Sequence, residues 1–207
     1  MRIIAGYARG IRLAVPDGGE PLRPTEDRVK ESLFSTLGDL KGAVVLDLFA
    51  GTGALGLEAL SRGAKEVVLV ERDPLHAEAI RQNQVAVERA IRAAGAEPGV
   101  AKITQGDLRN ISQMLDTQVF TIIVADPPYH SQPGEYGASE LLKDDALLAH
   151  CAPNALLALE HASDTSGLPW HPLSSWRLLR KRTFGIRAVS YACAVENSSA
   201  TESEAFV

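Results

Sequence analysis

The sequence predicts a doubly wound α/β fold: a mostly parallel sheet finished by an antiparallel hairpin, with a small arm in front. Three observations carry this. Between residues 43 and 160, apolar runs of strand length alternate with amphipathic helical ones, the pattern of parallel strands joined by crossover helices. The first strand runs directly into Gly51-Thr52-Gly53-Ala54-Leu55-Gly56, a turn of the kind that opens the ligand crevice of such sheets. After residue 175 the alternation stops, and two β-rich runs flank Gly185, as in a hairpin.

Each element has its own signal. Ile3, Ile4, Ile11, Leu13 and Val15 lie between Gly6, Gly10, Gly18 and Gly19 and predict a short hairpin. Pro24-Thr25-Glu26-Asp27 then opens a helix with Thr25 as N-cap, an apolar stripe of Val29, Leu33, Phe34 and Leu37, and Gly38 as its stop. Residues 43–49 are apolar on both faces, which marks a buried parallel strand. A helix follows over residues 54–61 and a second strand over 66–70. Asp73 and Pro74, as N-cap and first helical residue, start a long helix with Ile80, Val87 and Ile91 on one face. Gly95 and Pro98-Gly99 end it. Residues 100–104, 119–125 and 155–160 supply strands three to five, and 176–183 with 186–195 the terminal hairpin. His150-Cys151 reads as a helix end, and Trp170 with Pro169 and Pro172 as loop packing. The predicted division is an arm over 1–41, a main domain over 42–195 and a disordered tail over 196–207.

Composition narrows the class. The chain has 207 residues, 45% of them hydrophobic and 23% charged, ordinary for one globular domain. No apolar run approaches the ~18 residues of a membrane helix, and the N-terminus lacks the apolar core of a signal peptide. Cys151 and Cys193 stand far apart with no CxxC, so neither a disulfide framework nor a structural metal site is expected. A cytoplasmic protein that needs no membrane and no metal is the expectation. The net charge of −5 does not point to nucleic acid. Its distribution is uneven, however. Residues 1–30 hold six basic and four acidic side chains, and 177–187 hold Arg177, Arg180, Lys181, Arg182 and Arg187 with no acid. Such patches can neutralise phosphates locally.

The glycine turn implies a nucleoside-bearing cofactor. Its glycines permit a tight turn and close approach of a ligand to the backbone, and the following helix offers free N–H groups. An acid about twenty residues on should bind ribose hydroxyls, and Glu71 stands there, directly after the second strand. NAD(P) is the default owner of the motif. Two features point instead to S-adenosylmethionine. Asp47 lies within the strand that feeds the turn, and a carboxylate there suits an ammonium or sulfonium better than a pyrophosphate. Asp107 follows the third strand, where it either accepts from an adenine amine or caps a turn. The candidate cofactor contacts are Asp47, Phe49, Ala50, Gly51, Thr52, Gly53, Glu71, Arg72, Asp107, Leu108 and Asp126.

The fourth strand ends in Asp126-Pro127-Pro128-Tyr129. Two prolines stiffen this corner and remove two N–H donors. What remains is rich in acceptors: the Asp126 carboxylate and the Pro127 carbonyl. An exocyclic NH2 of a nucleobase needs two acceptors, and the Tyr129 ring can stack on an extruded base. Gripping both hydrogens turns the nitrogen lone pair out of conjugation and toward a methyl group, so catalysis is mainly positioning. His130 either assists removal of the amine proton or is an exposed loop residue.

With these motifs in order, the chain resembles a class I S-adenosylmethionine-dependent methyltransferase of the amino-group type. More narrowly it resembles the RsmD family, bacterial methyltransferases of a guanine N2 amine in small-subunit (16S) ribosomal RNA. The residues that carry this are Arg2 to Gly6, Arg9-Gly10, Leu22-Arg23-Pro24-Thr25, Asp27 to Glu31, Leu33-Phe34, residues 47–63 (DLFAGTGALGLEALSRG) and Asp126 to Tyr129. The resemblance implies a Rossmann-like sheet of seven strands. It also implies Asp126, Pro127 and Tyr129 as catalytic, and an arm that contacts RNA or folds over the cofactor. Arg9, Arg23, Thr25, Arg28, Pro128 and Tyr129 are then the candidate substrate contacts, with ribosomal RNA or the small-subunit particle as partner. The competing readings are a DNA adenine-N6 methyltransferase, an NAD-dependent oxidoreductase and a non-catalytic RNA-binding module.

Overall fold

The computed structural model describes residues 1–17, 27–115, 117–129, 135–164, 168–170 and 175–195. Its sheet has seven strands: β1 (Val44–Leu48), β2 (Glu66–Glu71), β3 (Val100–Gln105), β4 (Phe120–Ala125), β5 (Cys151–Ala162), β6 (Trp176–Phe184) and β7 (Arg187–Ala194). Their order is β3-β2-β1-β4-β5-β7-β6. The first five are parallel, β7 is antiparallel to β5, and β6 is antiparallel to β7. The doubly wound sheet with its terminal hairpin is therefore the fold observed. The winding reverses between β1 and β4, and at such a reversal the crevice at the carboxyl ends of the strands lies open.

The helices are α1 (Asp27–Leu37), α2 (Gly56–Ser61), α3 (Pro74–Ala93), α4 (Ile111–Met114), α5 (Ala138–Leu141) and α6 (Asp145–Leu148), with a 3-10 turn at Leu108–Asn110. Alternation along each strand sends its side chains to two separate cores. Val45, Val67, Leu69 and Val124 join Leu33, Phe34, Leu57, Leu60 and Ile80 from α1, α2 and α3. Leu46, Leu48, Val68, Val70 and Ile123 join Leu108, Ile111, Leu141 and Leu147 on the other face.

Several boundaries differ from the sequence reading. The expected hairpin of the arm is present but short: an antiparallel bridge joins Arg2 and Arg12, with Ile3 N–H bonded to the Ile11 carbonyl and Gly10 N–H to the Ile3 carbonyl at 2.9 Å each. The intervening loop also pairs with α2: Tyr7 N–H donates to the Ser61 carbonyl at 2.8 Å. Gly6 has φ +80°, and a Cβ there would lie 2.0 Å from the Ser61 oxygen, so the loop closes only on glycine. The second helix starts at Gly56, not 54, because the turn extends through Leu55. The fifth strand is longer than 155–160, beginning at Cys151 directly after a turn at His150. Trp170 packs against the second core. The short helices α4, α5 and α6 had no readable periodicity, each being four residues long. Gly38 ends α1 as expected, at φ +82°, and Asp73 caps α3 by accepting from Leu75 N at 2.8 Å. The expected cap Thr25, with Gly18, Gly19, Pro172 and the 196–207 tail, lies outside the described residues.

A buried ion cluster fastens the arm. Glu58 on α2 is fully buried. It accepts from Ile4 N at 2.7 Å and Ala5 N at 2.9 Å, and from Arg62 Nε at 2.9 Å. Lys30 Nζ, equally buried, stands 3.7 Å away and donates to the Arg2 carbonyl. Burial holds the Lys30 pKa below the usual lysine range, against the pull of Glu58. Replacing Glu58 strands a buried cation and two half-buried N–H donors. Glu58→Ala should therefore cost about 3–5 kcal/mol, measured as a fall in the urea midpoint at unchanged slope.

Candidate active site

One cavity of about 540 Å³ lies at the carboxyl ends of β1, β2, β3 and β4, within the size range of small-molecule and cofactor sites. Sheet register builds it. Leu48 at the end of β1 pairs with Val70 of β2 on one side and Ala125 of β4 on the other. The glycine turn, the Glu71 segment and the Asp126 corner therefore leave the sheet side by side.

The turn is held by acids from below. Phe49 has φ +63°, a conformation that costs a non-glycine residue energy, and Ala50 N–H bonds to the Val70 carbonyl at 3.0 Å. Gly51 N–H donates to Glu71 Oε2 at 2.7 Å, while Glu71 Oε1 accepts from Asp73 N at 2.8 Å. Gly56 N–H donates to Asp47 Oδ2 at 2.7 Å. Asp47 is buried, and that burial pushes its pKa up to about 8, with Asp126 and Glu71 adding repulsion.

The rim is partly aromatic. The Tyr136 ring lies 6.1 Å from that of Phe49, and its hydroxyl donates to Asp144 at 2.6 Å. Tyr129 donates to Glu160 Oε1 at 2.8 Å, and Arg187 Nη1 donates to the same oxygen at 3.2 Å. Glu160 is fully buried on β5. Burial, and then the Glu160 charge, hold the Tyr129 phenol well above its usual pKa. Tyr129 is thus a fixed ring and not a base at neutral pH.

Most expected site residues come together here. Asp47, Phe49, Ala50, Gly51, Thr52, Glu71, Arg72, Asp107, Leu108, Asp126, Pro127, Pro128 and Tyr129 all line the cavity. Gly53 does not: at φ +78° it completes the turn, its α-carbon facing Leu57, Leu69 and Ile80. Arg9 and Arg28 are exposed and lie off the cavity, and Arg23, Thr25 and His130 lie outside the described residues. Asp107 caps the 3-10 turn through Arg109 N at 2.9 Å and pairs with the Arg109 side chain at 2.6 Å. That pairing holds its carboxyl below the usual range.

Met1, His76, Arg109, Glu135 and Tyr136 also line the cavity and were missed, and Arg187, read from sequence only as part of a basic patch, lines it too. Met1 arrives through the arm, where Thr52 Oγ1 lies 3.1 Å from its sulfur. Asn83 of α3 ties arm to turn, donating to the Ala14 and Thr52 carbonyls at 3.0 Å each. Among the described residues no group of three or more His, Cys, Asp or Glu could hold a metal, and no helix is long and apolar enough to cross a membrane.

Comparison with known proteins agrees with this architecture. The family model described as "Conserved hypothetical protein 95" matches residues 1–193. The ribosomal RNA small subunit methyltransferase D of Haemophilus influenzae is 38% identical over 92% of this chain and 91% of its own length. The protein of the same name from Escherichia coli is 37% identical over 89% of this chain and 85% of its own. The chain belongs to this family. A solved structure described as the putative methyltransferase yhhF from Escherichia coli superposes with a TM-score of 0.73 at 34% identity. It covers 94% of this chain and 97% of that one.

The anchored phenol has a spectroscopic consequence. Tyr129→Phe should leave the phenolate absorbance gained up to pH 11 unchanged, because this hydroxyl stays protonated throughout. Loss of one phenol's amplitude in that titration would show that Glu160 does not hold it.

Proposed function

We propose that the protein is an S-adenosylmethionine-dependent methyltransferase acting on the exocyclic N2 amine of a guanine in small-subunit ribosomal RNA. The observation that carries this is the pairing of Leu48 with Ala125: it puts a cofactor-type glycine turn and an acceptor-rich proline corner into one cavity. The names of the relatives support ribosomal RNA as substrate.

The residues present fit the cofactor. Glu71 is buried and already held by two backbone donors at the β2 end, where it would meet the ribose hydroxyls. Gly51 and Thr52 bring backbone close to the ligand. Asp47 would face the cationic end, with Leu108 and Asp107 beside the adenine. When bound, S-adenosylmethionine supplies a methyl group on a sulfonium, whose departure as a neutral thioether needs no acid.

The chain's own work is positioning. The Asp126 carboxylate and the Pro127 carbonyl accept the two amine hydrogens. Pro127 and Pro128 keep that corner from adapting to other groups. The Tyr129 ring, fixed through Glu160, supports the flipped base. Once methylated, the amine gives its extra proton to water.

Asp126→Ala should lower methyl transfer about 10²-fold or more, as expected when a reacting group is left unaligned. S-adenosylmethionine should still raise the melting temperature of the variant, and NADH should not raise that of the wild type. Mass mapping of ribosomal RNA from cells with and without the protein should show that one guanine methyl disappears. An intact methylation pattern would refute the reading.

Asp47 couples cofactor binding to pH. Its pKa of about 8 lies above the unfolded value. Its contribution to stability is therefore full at low pH and lost as pH rises through 8. A cation beside it favours the ionised form, so binding below pH 8 expels a proton. Affinity for S-adenosylmethionine should rise between pH 6 and 8, by at most about tenfold per unit for one proton. Calorimetry in buffers of different protonation enthalpy checks this, and Asp47→Asn should flatten the profile.

A further inference from the structure

The basic run of the terminal hairpin is split by a bulge. The register of β6 against β7 shifts between Leu178 and Arg180. Beyond the shift, Arg180 pairs with Tyr191 and Arg182 with Val189. Val189 and Tyr191 belong to the core that contains Leu33 and Phe34 of α1. Paired residues of adjacent strands share a face. Arg180 and Arg182 therefore emerge on the side of the sheet that α1 covers.

Hydrogen bonds agree with that placement. Arg182 Nη1 donates to Ser32 Oγ at 3.0 Å, and the Tyr191 hydroxyl donates to the Ser32 carbonyl at 3.4 Å. Arg28, exposed, precedes Ser32 by one helical turn on the same helix face. The bulge thus gathers basic groups from both ends of the chain around Ser32. Among the described residues, no carboxylate lies within 4.0 Å of Arg28, Arg180 or Arg182. Asp27 is engaged by Arg2 at 2.8 Å, and Glu31, a neighbour of Arg28 three residues on along α1, makes no ion pair with it.

The position of this face relative to the cavity follows from the ladder. Ala125 pairs with Leu159. One residue further, Glu160 pairs with Val189, and Val189 with Arg182. Arg182 is thereby level with Asp126, three strand spacings away, or ~14 Å. A nucleotide flipped onto Asp126 has its chain neighbours at this range.

We propose that Arg28, Arg180 and Arg182 form one phosphate-binding face, joining α1 to β6, on which the RNA backbone flanking the target base rests. This deepens the ribosomal RNA reading above and depends on it. Phosphate binding of this kind sets register and orientation and carries no sequence information. The cavity then reads the base, and this face delivers it.

The test measures binding to in vitro transcribed small-subunit ribosomal RNA between 0.05 and 0.3 M KCl, limits of roughly the range over which counterion release is resolved. Replacing the three arginines by glutamine (R28Q/R180Q/R182Q) should lower the slope of log affinity against log salt by about 2–3, or ~0.7–0.9 for each phosphate that is no longer neutralised. The slope does not depend on the folded fraction of the sample, and a retained melting shift with S-adenosylmethionine shows the cofactor site intact. The control R81Q/R89Q/R92Q removes the same charge from exposed positions of α3, over β2 and β3, and should leave the slope in place. An unchanged slope in the first variant, or an equal fall in the control, overturns the assignment of this face. A wild-type protein with no salt-dependent binding to this RNA overturns the ribosomal RNA reading itself.

Discussion

The parallel pairing of β1 with β4 is the constraint from which the rest of the site follows. Leu46, Asp47 and Leu48 align with Ile123, Val124 and Ala125. No side chain of the site sets this alignment; buried apolar residues do. A slip of one residue would send Asp47 to the opposite core and Leu48 toward α2. It would also move the proline corner by a strand step of ~3.3 Å relative to the glycine turn. The chemistry proposed for Asp126 tolerates no such displacement. The hydrophobic cores on both faces of the sheet are thus what aligns a polar reaction.

The N-terminal arm extends the same logic to the rim of the cavity. Its apolar residues Ile3, Ala8 and Leu13 share a core with α1, α2 and α3. Its backbone is held both by its own hairpin bonds, such as Ile3 N–H to the Ile11 carbonyl at 2.9 Å, and by side chains of α2 and α3. Glu58 takes the N–H groups of Ile4 and Ala5, Ser61 Oγ takes that of Ala8 at 2.9 Å, and Asn83 takes that of Ala14 at 2.7 Å. The α2 segment that follows the glycine turn is therefore also the platform for the arm. Loosening either one disturbs the other, and Met1 reaches the cavity wall only because both are in place.

How far the site could be read from sequence depends on how local its signals are. The glycine turn, Glu71 and the Asp126 corner each sit directly after a strand, so the α/β pattern alone delivered them to one edge. Gly53 belonged to the motif yet faces inward, because a motif gives spacing and not which side of the turn a residue presents. Asp107 was left between two roles, and its bonds to Arg109 make the cap visible. Glu160 and Arg187 were invisible as a pair: β5 and β7 meet through a long connection, and only the ladder shows that Glu160 faces Val189. Met1 and Tyr136 enter through loops whose course no periodicity encodes. The strands were legible for the opposite reason. The central strands β1, β2 and β4 are runs of mostly apolar residues, and burial on both faces leaves such a run no other use.

Charge shows the same difference between global and local reading. A net charge of −5 argues against a nucleic-acid partner only if charge acts as a single sum. At physiological ionic strength fields decay over ~8 Å, so a phosphate responds to the groups within that distance and hardly to the remainder. Several of the acids in this chain are already committed. Asp47 and Glu71 hold the glycine turn, Glu58 the arm, Asp73 a helix start, and Glu160 a phenol and a guanidinium. Four of these five carboxyls are buried, and buried acids contribute little to the potential that a polyanion meets at the surface. The arginines around Ser32 are spread over 155 residues of sequence, from Arg28 to Arg182. They become one charge only because a bulge in β6 turns two of them toward α1. An acidic protein can in this way present a basic face beside a cavity whose own chemistry depends on carboxylates.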